Sequence, residues 1–186
     1  HWNDDNSVGQ PYPQISSALT LLTFLAHGET TTSKEFGNNI KNLLIYLKNL
    51  DPTQLSAAEL SIVCYALNEA YSMTKIKQLK PACLKLLNQI VEITNSGKLL
   101  FSPKVSPLYQ NFTIRALASA KDDSGKPLVQ AEESLKNCRD ALSLNIKTVD
   151  SKSSFLRISS TLNSAMLLFN EKDKLPKHLL RLFEES

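Results

Sequence analysis

Glycine is scarce in this chain. Only five of its 186 residues are glycine, and they are scattered, which excludes the phosphate loops of Walker A and dinucleotide-binding motifs. A fold rich in tight turns also needs more glycine than this. Leucine, alanine, lysine, asparagine and serine are abundant instead, and this composition favours helices. The sequence therefore predicts an all-α fold.

Cysteine is also rare, and the three cysteines do not indicate a disulfide framework. Cys64, Cys83 and Cys138 each lie within an apolar helical pattern, where a free cysteine behaves as a small buried hydrophobic residue. We predict that all three belong to the core. No apolar run approaches the roughly 18 to 20 residues that cross a bilayer, so no transmembrane segment is expected. The compartment stays open, since a signal or an anchor upstream of His1 could have been removed.

Charge of one sign is not in large excess. Lysine and arginine number 21 against 18 aspartates and glutamates, a net charge of +3, and the composition is that of an ordinary soluble protein. Because the lysines are dispersed, no nucleic-acid partner is expected. The densest basic run is Lys75, Lys77, Lys80 and Lys85. These lysines point to several sides of a predicted helix, and we interpret them as a solvated outer face.

Helix-terminating and helix-capping residues predict the bounds of the first two helices. Helix A is expected over about residues 14–27, before Gly28. Helix B carries one apolar stripe at helical spacing, and Ser33 is placed to cap it. The residues of this stripe are Phe36, Ile40, Leu43, Leu44 and Leu47.

A capping box marks the start of helix C. Ser56 and Glu59 have the spacing at which the two side chains satisfy each other's free backbone amides. Helix C then runs to about Met73. Pro81 places the start of helix D at Lys80, or else a kink there. A long connection over 101–107, a turn over 122–127 and helices over about 108–121, 128–142, 154–170 and 176–184 complete the chain.

The apolar patterns alternate along the chain. Helices B, D and F have one stripe, as expected for helices with one face in water, whereas apolar residues nearly surround helices A and C. Similar segments recur about every 44 to 50 residues, at 22–28, 66–72, 116–122 and 165–171. We predict four stacked α-hairpins with inner and outer helices, arranged as a solenoid or a closed ring. They cover about 14–50, 56–94, 108–145 and 154–184 of a single domain over 13–186, after an N-terminal arm over 1–12.

These repeats resemble a known family. Residues 17–37, 65–74 and 112–122 resemble the prenyltransferase and squalene-oxidase repeats of terpene cyclases and protein prenyltransferases, and most of all bacterial cyclase-like proteins of unassigned function. The resemblance covers roughly residues 15–145 and implies an α/α-toroid-like array. The chain lacks the family's Gln-Asp-Gly-Gly-Trp turn and its Asp-x-Asp-Asp motif. Four hairpins make at most an arc or a small closed bundle.

The candidate chemical motifs are incomplete. His27 and Glu29 have the His-x-Glu spacing of zinc deaminases, but the Pro-Cys-x-x-Cys partner is missing. The aspartate pairs at 4–5 and 122–123 each supply too few oxygen ligands for magnesium-bound diphosphate. The second pair indicates a turn with local side-chain bonds. No Gly-x-Ser-x-Gly elbow is present. We therefore predict no catalytic residue, no metal and no cofactor.

Five aromatic residues on the inner helices are the candidates for a binding face. They can line a concave groove or pocket, or they can pack into the core. The five residues are Phe24, Tyr65, Tyr71, Tyr109 and Phe112.

Because no complete catalytic or metal-binding motif is found, the sequence favours a non-catalytic α-hairpin repeat module that binds a protein or an apolar small molecule. The alternative is an enzyme, or an enzyme fragment, of the terpene cyclase or prenyltransferase type that acts on an apolar isoprenoid-like substrate. Only the family resemblance supports that alternative. A third hypothesis is a scaffold that self-associates through exposed repeat ends.

Overall fold

The fold is all-helical, as predicted. The computed structural model describes residues 12–96, 107–147, 149, 153, 155–169 and 177–184. Within these ranges there is no β-strand, only an isolated β-bridge between Lys121 and Pro127. The α-helices are α1 (Pro13–Ala26), α2 (Gly37–Lys48), α3 (Ala57–Thr74), α4 (Lys80–Asn95), α5 (Pro107–Ser119), α6 (Val129–Ile146), α7 (Phe155–Phe169) and α8 (Lys177–Glu184), with short 3-10 helices at Pro52–Gln54 and Lys77–Leu79.

Some predictions fall on residues that are not described. The predicted arm over 1–12 lies outside the described residues except for Tyr12, which is exposed. The predicted connection over 101–107 also lies outside them, apart from its last residue. The bounds of the four hairpins and of the single domain stay predictions. Among the described helices, none combines the length and the hydropathy that a bilayer span requires.

The local signals around α3 and α4 act as predicted. The Ser56 amide donates to a Glu59 carboxylate oxygen at 2.9 Å, and the Glu59 amide donates to Ser56 Oγ at 3.3 Å, which completes the capping box. Helix α4 begins at Lys80, with Pro81 in its first turn. A proline is tolerated there because its missing amide hydrogen has no partner within the helix. The alternative of a kink at Pro81 is therefore wrong.

The predicted cap of α2 is wrong. Helix α2 begins at Gly37 after an N-cap residue, Phe36, that makes no side-chain capping bond. The Ser33 hydroxyl instead accepts the amide of Thr30 at 2.9 Å, and the Ser33 carbonyl accepts the amide of Gly37 at 3.1 Å. Ser33 thus closes the turn that precedes the helix, because its side chain finds a donor within its own loop.

The helices pack in two layers. Helix α3 packs against α1 and α5, and α5 packs against α7, so these helices form one layer. Helices α2, α4 and α6 pack on that layer, and α4 also contacts α6. Three polar contacts join successive helices of the first layer at sequence separations of 52, 48 and 53 residues. Because Ser61 pairs with Thr113 and Asn68 with Ala116, both partners advance along the chain, and α3 and α5 run parallel.

The buried residues of α2, α3 and α4 agree with the predicted apolar patterns, and those of α1 do not. Helix α3 has nine buried residues, and α2 and α4 each bury one side. All three cysteines are buried and free, as predicted. Helix α1 was expected to be buried on more than one side, but Leu19 is 41 % exposed and Ala26 is exposed. The main contacts of α1 among the described helices are with α2 and α3, which leaves Leu19 and Ala26 on a side that these helices do not cover.

Candidate functional site

A pocket of about 180 Å³ lies between α3, α4 and the segment that joins α5 to α6. We call it the α3–α4 pocket. Its walls include the side chains of Cys83, Leu84 and Leu87 from α4, together with Ala120 and Leu128. Its polar lining residues include Ser72, Lys75, Lys80, Lys121 and Asp122. The pocket thus combines apolar walls with charged groups, as small-molecule sites do.

A tight turn over residues 121–127 forms one side of this pocket. The Asp122 carboxylate accepts the amides of Ser124 at 2.8 Å and Lys126 at 2.9 Å, and the Ser124 hydroxyl at 2.6 Å. These bonds, first of all the one from the Ser124 hydroxyl, hold the pKa of Asp122 below its ordinary value. Gly125 has a φ of +83°, which glycine adopts without strain. The local side-chain bonds predicted for this turn are therefore confirmed for Asp122.

Asp123 makes longer-range contacts than its neighbour. Its carboxylate accepts the hydroxyl of Tyr71 on α3 and the ammonium of Lys80 on α4, the latter at 2.7 Å. We call Asp123, Tyr71 and Lys80 the aspartate clasp. The clasp ties the 121–127 turn to both helices that line the pocket. The clasp therefore fixes the position of the 121–127 turn, which forms the third side of the pocket.

The clasp shifts the pKa of each of its members. The hydrogen bond from Lys80, and then that from Tyr71, lowers the pKa of Asp123. The same contacts raise the pKa of Tyr71 and of Lys80, in both cases chiefly through the hydrogen bond to Asp123. The folded chain therefore favours an ionised aspartate, a neutral tyrosine and a charged lysine. All three states coexist at neutral pH.

These shifts predict a pH-dependent loss of stability in Asp123→Asn. A carboxylate with a lowered pKa stabilises the fold above its unfolded-state pKa of about 3.9, and this contribution disappears as the pH falls through the folded-state value. The urea midpoint of Asp123→Asn should lie below that of the unmodified chain at pH 7, and the difference should vanish in acid. Because the pKa of Lys80 is also raised, the stability advantage of the unmodified chain should decline a second time above a pH of about 10, where Lys80 loses its charge.

Urea titrations across this pH range test the clasp. Asp140→Asn, an exposed aspartate on α6, is the matched control and should show a small difference that does not follow the same profile. A constant difference between Asp123→Asn and the unmodified chain from pH 2 to pH 7 would show that the clasp does not form in solution.

The known proteins supply no template for this site. Neither a family model, nor a curated protein, nor a solved structure matches the chain.

The five predicted aromatic residues do not form one site. Tyr71 alone lines the α3–α4 pocket. Tyr65 and Phe112 contact each other across α3 and α5, with ring centroids 6.3 Å apart, and the Arg115 guanidinium lies 5.9 Å from the Tyr65 centroid. Tyr109 is half-buried. These residues thus fall at separate places along the layer.

Phe24 lies in a different place again. Its ring packs against Phe36 with centroids 5.1 Å apart, and it lines a groove of about 410 Å³ between α1 and α2. That groove is wide and open, with polar walls that include Asn39 and Asn42. It offers less enclosure for an apolar group than the α3–α4 pocket does.

Three residues at the candidate site, Lys75, Lys80 and Asp123, are not among the five residues that the sequence predicts for a binding face. The basic run is predicted to be a solvated outer face, and this is confirmed for Lys75, which is exposed. Both lysines nevertheless line the pocket, and Lys80, which is half-buried, pairs with the aspartate. The sequence holds only a weak indication that these lysines line a pocket. Lys75 follows the last residue of α3 and Lys80 is the first residue of α4, so both lie at the junction of two helices, where pockets form.

The cysteine that lines the pocket is not an activated nucleophile. Burial raises the pKa of the Cys83 thiol to about 12, so the thiol stays protonated and unreactive at neutral pH. His27 is exposed at the end of α1, where Nδ1 donates to the Thr23 carbonyl at 2.8 Å. Among the described residues, no group of three or more His, Cys, Asp or Glu side chains could hold a metal ion. The arrangement of the pocket is suited to binding.

Proposed function

We propose that the chain is a non-catalytic α-hairpin repeat module that binds a small apolar ligand in the α3–α4 pocket, with its hairpins in an arc of the α/α-toroid type. The nearly constant separation of 52, 48 and 53 residues between bonded partners supports a repeat of about 50 residues. Parallel helices at such a period are typical of stacked hairpins.

The observation that carries the binding function is the pocket itself. Apolar side chains from both α4 and the 120–128 segment converge on a space of about 180 Å³. A protein cavity of about 150 Å³ holds one benzene ring, so this pocket accommodates a single ring or a short aliphatic group. A long isoprenoid chain does not fit such a volume, and this favours a small-ligand site over the enzyme alternative.

Two variants test whether the pocket binds apolar molecules. Ser72 is exposed and lines the pocket, so Ser72→Trp places an indole at the pocket without changing the core. Met73, the next residue, is 45 % exposed and is not part of the lining, so Met73→Trp is the matched control. The probe is 3-phenylpropanamide, a neutral molecule with one ring.

Amide chemical-shift changes in two-dimensional NMR spectra provide the readout. In the unmodified chain and in Met73→Trp, titration with the probe should shift the amides of α3, α4 and residues 119–128. In Ser72→Trp the apparent affinity should fall by about tenfold or more, as expected when a group fills the pocket of its ligand. Shifts confined to other helices, or equal binding by Ser72→Trp, would disprove the proposed site.

A further inference from the structure

Some charged groups around the α3–α4 pocket are held by hydrogen bonds or an ion pair, and others are not. Lys75, Lys80 and Lys121 line the pocket together with one carboxylate, that of Asp122. Asp122 accepts three hydrogen bonds within its own turn, and Lys80 is held by Asp123 in the clasp. Two cations therefore remain to meet a ligand.

Lys75 is held near the pocket by its backbone. It ends α3 in the left-handed conformation, with a φ of 53°, and its amide donates to the Tyr71 carbonyl at 2.9 Å. Its ammonium lies 5.7 Å from the centroid of the Tyr71 ring. Asp123 is near enough for Lys75 to help lower its pKa, but no carboxylate among the described residues lies within salt-bridge distance of Lys75.

Lys121 lines the pocket from a different part of the chain, the segment that joins α5 to α6. Its backbone forms the β-bridge with Pro127, which fixes where the side chain begins. Glu69 is the acid that interacts with Lys121, and Glu69 also interacts with Arg115. Burial raises the pKa of Glu69 in spite of these two cations, and Lys121 has no salt bridge within the described part of the chain.

We infer that the ligand of the α3–α4 pocket is a small carboxylic acid in its ionised form, with its apolar ring or short chain against Leu84 and Leu87 and its carboxylate between Lys75 and Lys121. This inference rests on the proposed function. A carboxylate supplies two acceptor oxygens and a negative charge, which suits two lysines that line one pocket from two segments of the chain. A neutral head accepts hydrogen bonds without the charge attraction, and a cationic head is repelled by both lysines.

Isosteric probes separate the head group from the ring. The unmodified chain should bind 3-phenylpropanoate about fivefold more tightly than 3-phenylpropanamide, because two exposed ammonium groups each add a modest attraction. The advantage should shrink in about 1 M salt, where charges are screened within about 3 Å. Phenethylamine, which carries a positive head, should bind more weakly than the amide.

The double variant Lys75→Gln/Lys121→Gln identifies the residues. It should bind acid and amide equally, with an affinity for the amide close to that of the unmodified chain. Lys34→Gln/Lys77→Gln removes the same charge from two exposed lysines outside the pocket lining and should keep the fivefold preference. This control distinguishes local contacts from net charge.

The failures of the two proposals differ. If acid and amide bind the unmodified chain equally at the pocket, the head-group inference is wrong and the apolar site stands. Tightest binding of the amine, or an acid preference that survives in Lys75→Gln/Lys121→Gln, also overturns the inference. If none of the probes shifts the pocket amides, the proposed function fails and the inference fails with it.

Discussion

Leu67→Ala should lower the free energy of unfolding by about 2 to 5 kcal/mol, the range for a large-to-small change at a core leucine. Leu67 is 0 % exposed and lies on α3. Helix α3 contacts α1, α4 and α5, so several helices surround the methyl groups that are removed. The neighbouring helices cannot all move inward at once, and a cavity remains. Urea denaturation followed by far-UV circular dichroism measures the loss.

The control for Leu67→Ala lies on the same helix. Met73 is 45 % exposed, and Met73→Ala should change the free energy of unfolding by no more than about 0.5 kcal/mol. Helix propensity favours alanine at both positions, so the contrast isolates burial. Similar losses in the two variants would mean that α3 is not the central helix of the fold.

Gly37→Val should destabilise the chain by about 1 to 3 kcal/mol, the usual cost of overpacking. Gly37 is buried at the start of α2, and a Cβ atom added there would lie 2.9 Å from the backbone oxygen of Thr31. The obstacle is backbone, which cannot rotate away as a flexible side chain does. The gain in helix propensity over glycine, at most about 1 kcal/mol, does not offset the clash.

Asn38→Val is the matched control for this second variant. Asn38 is exposed and follows Gly37 in the same helix, and asparagine and valine have similar helix propensities. The control should stay within about 0.5 kcal/mol of the unmodified chain in the same urea experiment. A neutral or stabilising Gly37→Val would mean that residues 30–36 do not pack on α2 as described.

Sequence patterns predict the helices of this chain because the responsible forces are local. The capping box of Ser56 and Glu59 acts within one turn, and the apolar stripes of α2 and α4 repeat every three to four residues. The exposure of Leu19 could not be predicted in this way. Its environment depends on which helices flank α1, and a pattern of apolar residues does not specify how many neighbours a helix has.

The candidate site was harder to predict because its contacts are distant in sequence. Tyr71 and Asp123 are 52 residues apart, and Lys80 and Asp123 are 43 apart. The sequence predicts Tyr71 for an apolar face, whereas in the structure its hydroxyl donates to Asp123. Nothing local distinguishes Asp123 from Asp122, yet one binds two other helices while the other closes its own turn.

The polar contacts between α3 and α5 fix the register of these two helices. Ser61 shares a hydrogen bond with Thr113 at 2.8 Å, and the Asn68 side chain donates to the Ala116 carbonyl at 3.0 Å. Ser61 and Asn68 are seven residues apart, which is about two helical turns and returns to the same face. Inserting one residue between them rotates one contact by about 100° away from the other. The length of this interval is therefore constrained by the contacts at its two ends, in addition to the packing of the side chains within it.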